Sequence, residues 1–431
     1  MSAVDAGAVD VSIPEASAHD RLWDELPDDV VDRFAGLLDG IRDGSADRDR
    51  DRVLPFEALR ALRDAGLSVA RLPRDRGGLG LDWPQFGRLL IEVAAADPNL
   101  PQILRGHVAL VEQTLTTDDA AFRERWLGRI GAGQISGNAW SEPSGSTHAR
   151  AGTELVEDDA GVLRVHGRKF YTTGSLFAEW TDAVAHRVSD ATDVAVLVRL
   201  DQPSVTVSDD WDGIGQRLTG TGTIVFDGAS VDAQDAVPVA ARFPYQTALY
   251  QFVLLAVLAG IARTAVEDTA AAVRARTRSY SHGSAARTAD DPQILGLLGE
   301  QSAVAFAVQR TVVAVADDLE RAYRAARAAA QAPSEATRAE ALAAAGLAEI
   351  RTAQAQSFAT RAVQQLTSRI FDALGASATA RGTGLDRHWR NARTVSSHNP
   401  VLFKDRWIGE YEVHDRLPQP LWAVGTPVEN A

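Results

Sequence analysis

The eleven residues from Phe252 to Ala262, Phe-Val-Leu-Leu-Ala-Val-Leu-Ala-Gly-Ile-Ala, include no polar side chain. A helix that is apolar on every face has no side to show to water, so other helices or lipid must enclose it. The run is about half the ~20 residues that a bilayer crossing needs, which points to enclosure by protein. Its neighbours supply the partners. Ala-rich helical stretches at 291–330 and 334–373 flank a break at Gln331-Ala-Pro333. From Tyr245 onward the sequence therefore predicts a four-helix bundle of up-and-down type, with the apolar run buried inside it.

The preceding sequence has two other textures. From Pro27 to about Gly131 apolar residues recur at helical spacing, as in Val30, Val31, Phe34, Leu37, Leu38 and Ile41, then Phe56, Leu59 and Leu62. A helix carrying Phe86, Leu89, Leu90 and Val93 starts after Asp82, with Gln85 three residues on, which is an N-terminal capping pattern. Between Gln134 and Asp235 short β-rich runs (Val162–Val165, Val194–Val198, Thr223–Phe226) alternate with Gly, Asp and Pro clusters, and Glu157 to Gly161 suits a hairpin loop. These runs predict a small antiparallel barrel or sandwich. The expected fold is α+β: a disordered tail at 1–26, a helical domain at 27–133, a β domain at 134–240, the bundle at 241–412 and a tail at 413–431.

Composition narrows the function. The 431 residues contain no cysteine, which excludes disulfides, thiolate nucleophiles, zinc fingers and iron–sulfur clusters. A net charge of −14 argues against nucleic acid or an anionic membrane as partner. The first twenty residues lack a signal peptide's basic and apolar regions, so a cytoplasmic location is expected. Phosphate-loop, GxGxxG, HExxH and GxSxG signatures are missing, and the nine histidines show no metal-ligand spacing.

Two segments stand out. Gly137-Asn-Ala-Trp-Ser-Glu-Pro143, followed by Gly145-Ser146, opens the β region, and Gly167-Arg-Lys-Phe-Tyr-Thr-Thr-Gly-Ser175 precedes Glu179-Trp180. Both set small hydroxyl and amide side chains beside a Trp and Gly-rich backbone. A flavin ring wants that combination, an apolar face and hydrogen-bonding groups along its polar edge. The residues alone fit polar turns at strand ends with a core Trp better.

The order of these segments resembles the acyl-CoA dehydrogenase superfamily. Ser141-Glu-Pro143 with Gly145-Ser146 is similar to its "TEP…GS" segment, and Lys169 to Ser175 to its "K…TNG" strand. Ile214 to Gly222 resembles its last β segment, and Arg276-Thr-Arg-Ser-Tyr280 its flavin-contacting "R-x-F/W" turn. Where many dehydrogenases carry a Glu base in an "RD…EGT" stretch, this chain has Arg390-Asn-Ala-Arg-Thr-Val-Ser-Ser-His-Asn-Pro400, which puts Asn399 at the Glu position. Removing a weakly acidic C–H proton demands a positioned base, and Asn is not one. Leu385 to Lys404 instead resembles the two-component flavin monooxygenases of this fold, the group of the dibenzothiophene monooxygenases and aminosugar nitrososynthases. Gly375-Ala376 stands where dehydrogenases have a Gly-Gly pair against the adenine half of FAD, a change that suits FMN, with FAD still possible.

The resemblance implies a homotetramer to which a separate reductase supplies reduced FMN. O2 then adds to the flavin, and a C4a-hydroperoxyflavin oxygenates a small hydrophobic, amine- or sulfur-containing substrate. It implies catalytic roles for His398, His107 and Ser175. It implies flavin contacts from Asn138, Trp140, Ser141, Thr173, Ser175, Arg276, Arg278 and Gly375. The alternatives are an FAD-dependent acyl-CoA dehydrogenase, with its Glu on another bundle helix, and a non-catalytic scaffold. Arg390 and Arg393 are expected to tie helices together, His388 to face solvent, and Trp83, Trp126 and Trp211 to serve packing.

Overall fold

The computed structural model describes residues 22–142 and 152–418. Seven helices come first: α1 (Asp28–Asp43), α2 (Ser45–Asp51), α3 (Phe56–Asp64), α4 (Trp83–Ala96), α5 (Asn99–Ile103), α6 (Arg105–Thr116) and α7 (Ala120–Gly131). The strands are β1 (Ser136–Ala139), β2 (Glu154–Glu157), β3 (Leu163–Phe170), β4 (Trp180–Arg187), β5 (Thr192–Arg199), β6 (Val205–Val207), β7 (Thr223–Val231) and β8 (Ala236–Pro238). Five helices close the chain: α8 (Gln246–Ala275), α9 (Pro292–Gln331), α10 (Glu335–Leu374), α11 (Asp386–Ser396) and α12 (Val401–His414).

The apolar run lies inside α8, whose 30 residues make it long and apolar enough to cross a membrane by length and composition. The length argument from the eleven-residue run therefore fails, because the helix continues at both ends. Its surroundings are what make it a core helix: 89% of its most apolar window is buried inside the fold. Helix α4 crosses α8 closely enough that a Cβ on Gly260 would stand 2.5 Å from the Ala94 Cβ and 2.6 Å from backbone atoms of Ala94 and Ala95. One apolar cluster, from Leu22 and Phe34 through Leu89, Phe252 and Val257 to Val312, Val363 and Val395, joins the N-terminal helices to the bundle.

Local chemistry explains the helix ends. Asp82 accepts from the Gln85 N–H at 2.9 Å while Gln85 accepts from the Asp82 N–H at 3.2 Å, the reciprocal cap expected there. Asp291 caps α9 ahead of Pro292, and Ser334 with Thr337 forms a second capping box that starts α10. Pro333 sits in the break between them, where a continuing helix would lose a backbone hydrogen bond.

The strands differ from expectation. They form one eight-stranded mixed sheet, ordered β6-β7-β3-β2-β4-β5-β8, with β1 also paired to β4. Ladders β2–β3, β3–β7 and β4–β5 are antiparallel, but β1 and β2 both run parallel to β4. Parallel neighbours distant in sequence leave no hairpin signal. The tail expected at 1–26 is also shorter at its inner end. Leu22 and Leu26 are buried, and Glu92 accepts from the Leu22 N–H at 2.9 Å.

Candidate active site

Three backbones meet where the two singled-out segments converge. Gly174 has φ +82°, and a Cβ there would lie 2.2 Å from the Ile103 carbonyl oxygen at the end of α5. A Cβ on Gly137 would lie 2.3 Å from the backbone nitrogen and Oγ of Ser175. Asn138 N–H donates to the Thr173 carbonyl at 3.1 Å, which locks β1 to the Thr172–Ser175 turn. Lys169 and Glu142 join the same two segments by an ion pair of 2.6 Å. Burial works against charge on Glu142, but the ammonium and the N–H groups of Gly152 and Thr153 hold its carboxyl below the usual range.

The hydroxyls form a directed chain. Thr219 donates to the Gln216 carbonyl at 2.9 Å, so its oxygen can only accept from Thr221, 2.8 Å away. Thr221 then accepts from Thr173, also at 2.8 Å. The proton of Thr173 is committed, which leaves this hydroxyl only lone pairs for a ligand. Ser175 Oγ is 3.0 Å from Thr181 Oγ1.

His107 is buried with 1% exposure, and both ring nitrogens are engaged. Nε2 lies 2.8 Å from the Ser68 carbonyl, which can only accept, so Nε2 carries the proton. Nδ1 faces the Ser136 N–H at 3.4 Å. Burial pushes its pKa down to about 4, so the ring is neutral at physiological pH. As placed, it braces β1 and has no nitrogen free for a ligand.

Register sets Asn138 opposite Asp182 across the β1–β4 pair. Asp182 is fully enclosed and pairs with Arg242 at 2.8 Å, while burial raises its pKa against the arginine's pull. The Arg242 guanidinium lies over Trp140, 5.6 Å from the ring, and Trp140 meets Tyr250 of α8 edge-on at 6.4 Å. Arg105, first residue of α6, lies over Tyr250 at 4.9 Å. Its positive charge acts on His398, in the turn between α11 and α12, where crowding by protein and then Arg105 push the imidazole's pKa down. The His398 side chain is nevertheless exposed to solvent.

Several buried polar atoms along this wall have no hydrogen bond: Asn138 Oδ1, Trp140 Nε1, Tyr250 Oη, Arg105 Nε and Asn399 Nδ2. Trp140 Nε1 approaches Asp182, and Tyr250 Oη approaches Arg242, without bonding geometry in either case. Unpaired buried polar groups are costly, and their concentration in one place marks where a ligand completes them. Asn399 occupies the position expected of a dehydrogenase base and is buried. Helix α8 offers no replacement there, since it carries no Asp or Glu before Glu267. An open hollow of about 360 Å³ borders Ser175, Leu176, Glu179, Arg199 and Asp201, but its three charges are paired, Arg199 with Asp201 and Glu179 with Arg63.

Other sequence-predicted residues are placed differently. Ser141 is exposed, with its carbonyl accepting from the Phe170 N–H at 3.1 Å. Gly145 and Ser146 lie outside the described residues. Arg276 bonds the Leu374 carbonyl and lies over Tyr280, and a Cβ on Gly375 would meet the Tyr280 hydroxyl at 2.5 Å, so these residues form a second cluster with exposed Arg278 nearby. Arg276 follows Tyr250 by 26 residues along α8, a rise of about 39 Å. Within one chain, then, Arg276, Arg278 and Gly375 cannot touch a ring held at Asn138 and Ser175. His388 is not solvent-facing; it is buried, with Nε2 2.9 Å from Asp268. Arg390 ties α11 to Asp49 at 2.6 Å and to Asp386 at 2.7 Å, and Arg393 reaches Gln364 at 2.8 Å. Trp83 and Trp126 are core residues, and half-buried Trp211 packs against Tyr171.

The sequence reading missed Tyr171, Arg105, Tyr250, Arg242 and Asp182. Tyr171 has φ +63° and a half-exposed ring beside Thr172 and Thr173, strain that suits a functional edge. A usable signal existed for Arg105: it is the lone charge between Pro98 and Val111.

Comparison with known proteins agrees with this geometry. The acyl-CoA dehydrogenase N-terminal domain matches residues 28–134 and the acyl-CoA dehydrogenase C-terminal domain matches residues 252–402. A dibenzothiophene monooxygenase of Mycolicibacterium goodii is 28% identical over 392 residues, covering 87% of this chain and 91% of its own. A Pseudomonas putida protein named "Probable FMNH2-dependent monooxygenase SfnC" is 26% identical over 87% of this chain and 92% of its own. The FMN-bound crystal structure of TdsC from Paenibacillus sp. A11-2 superposes with a TM-score of 0.81 at 27% identity, covering 91% of this chain and 99% of that one. With Asn399 at the dehydrogenase base position and monooxygenases as relatives along nearly its whole length, the chain belongs to the acyl-CoA dehydrogenase family, on its flavin-dependent monooxygenase branch.

Proposed function

We propose that this chain is an FMNH2-dependent monooxygenase that oxygenates a small organic molecule. The observation that carries this reading is Asn399: the position where a dehydrogenase needs a carboxylate holds a buried amide with an unbonded NH2 group. The residues fit a flavin ring. Asn138 Oδ1 and Trp140 Nε1 are an unpaired acceptor and donor at one edge. Thr173 would offer lone pairs to an N–H of the bound ring. Reduced FMN, when bound, reacts with O2 and supplies the activated oxygen.

The chain's own residues must then exclude water and place a proton. Trp140 and Tyr250, edge to face, give this side of the site aromatic surface. His398, neutral because its surroundings disfavour the cation, can donate one hydrogen bond and accept another at the open face. His107 fixes β1 beneath the site and so acts by positioning. A separate reductase as FMNH2 source, a cytoplasmic setting and a homotetramer complete the reading. Exposed Leu402, Phe403 and Val413 on α12 and Phe358 on α10 support association between copies. In such an assembly the Arg276, Arg278 and Gly375 cluster would serve the flavin of a neighbouring copy.

A single-turnover experiment tests this. Anaerobic protein with FMNH2 is mixed with O2, and oxygen uptake and hydrogen peroxide release are followed together. Wild type should release peroxide well after taking up O2, and His398→Ala should shorten the delay roughly tenfold, the worth of one hydrogen bond of about 1.4 kcal/mol. Peroxide release that keeps pace with oxygen uptake in the wild type would overturn the reading.

A further inference from the structure

Six Arg or Lys side chains among the described residues are buried: Arg71, Arg105, Lys169, Arg242, Arg263 and Lys404. Five meet a carboxylate within 3.0 Å, namely Glu112, Glu142, Asp182, Glu92 and Glu349 respectively for Arg71, Lys169, Arg242, Arg263 and Lys404. Arg105, 4% exposed, meets none. Among the described residues its close partner is the face of Tyr250, and its Nε has no acceptor. A buried cation left unpaired while its peers are all paired is the signature of a charge kept for a ligand.

We propose that the substrate is a small organic acid, and that Arg105 binds its oxyanion head, a carboxylate or sulfur oxyacid, beside His398. This rests on the flavin monooxygenase reading for the site. The guanidinium presents a planar fork that matches two oxygens of such a group. The unbonded Tyr250 hydroxyl, which burial keeps protonated with a pKa pushed up to about 12, is a second donor at the same place. The flavin-facing groups Asn138, Thr173 and Ser175 lie on β1 and the turn after β3, whereas Arg105 and Tyr250 lie on helices and His398 on the bundle. The anion is thus held on the side of His398, with the rest of the molecule directed toward the ring.

The test compares acids with their neutral isosteres on the FMN-loaded protein. Benzoate is paired with benzamide, and methanesulfonate with methanesulfonamide, with binding measured by calorimetry. At least one acid should bind roughly 10- to 100-fold more tightly than its amide, the worth of a charge-assisted hydrogen-bonded pair. Arg105→Gln should erase the preference, Arg105→Lys should keep part of it, and Tyr250→Phe should weaken it with the fold intact. Affinity for FMN should stay within about twofold in the two Arg105 variants. The proposal is overturned if neither acid is preferred, if the preference survives Arg105→Gln, or if that variant loses FMN as strongly as acid. Repeating the titration without FMN separates the two readings. Absence of flavin binding sinks the monooxygenase, while acid preference in the flavin-free protein still reports on Arg105.

Discussion

Two parts of the interior treat charge in opposite ways. Beneath α4, α6 and α8, Glu112 takes Arg71 at 3.0 Å, the Trp83 indole N–H at 3.1 Å and the Tyr245 hydroxyl, while Glu92 holds Arg263 through two contacts of 2.6 and 2.8 Å. A few residues away on the same helices, Arg105 and Tyr250 lean on each other, and each has a polar atom with no partner. The first arrangement fixes three elements at once and asks nothing of a ligand. The second holds its groups ready at the expense of stability. Whether a buried cation meets a carboxylate thus separates scaffold from site more sharply than residue type does.

The largest expected effect comes from breaking the paired region. Glu112→Ala strands Arg71, Trp83 Nε1 and Tyr245, and should destabilise the fold by about 3–5 kcal/mol. A fall in the urea midpoint with an unchanged slope would report it, and a change below about 1 kcal/mol would mean that the network is not structural. His107 should give a smaller, pH-dependent effect. Its folded pKa of about 4 lies below the ordinary value near 6.5, so its contribution is present above pH ~6.5 and is lost as pH falls toward 4. The loss amounts to at most about 1.4 kcal/mol per pH unit. His107→Gln should therefore show a flatter midpoint-versus-pH curve across that window. Arg105→Met should have the least effect on stability, within about 1 kcal/mol and in the stabilising direction, because it removes a desolvated cation that has no partner. A loss of several kcal/mol would erase the distinction between the two regions.

The bundle and its break were legible because their signals are local. Asp291, Pro292, Pro333 and Ser334 mark helix ends within a few residues of chain. The sheet's parallel ladders were not, since β1 and β2 are four residues each and their partner β4 lies far along the sequence. At the site, Asn138, Thr173, Ser175 and His398 could be named through the order of motifs, and the geometry joins the first three through the β1 contact. The remainder depends on pairing, which composition cannot show. Arg105 and Arg242 are both arginines beside aromatic rings, and only the fold gives one of them an aspartate. His388 looked like a surface residue because nothing adjacent in sequence hints at Asp268 across the bundle.

The length of α8 has a consequence for how activity should scale. A rod about 45 Å long cannot bring its own ends together, so the residues at its two ends can share one flavin only when they come from different molecules. On the proposed sharing of a flavin between copies, each complete site would be the product of an encounter, and mass action would govern how many exist. Dilution alone would switch such an enzyme off without unfolding it, and turnover per chain would rise with protein concentration until every rod had found its counterpart.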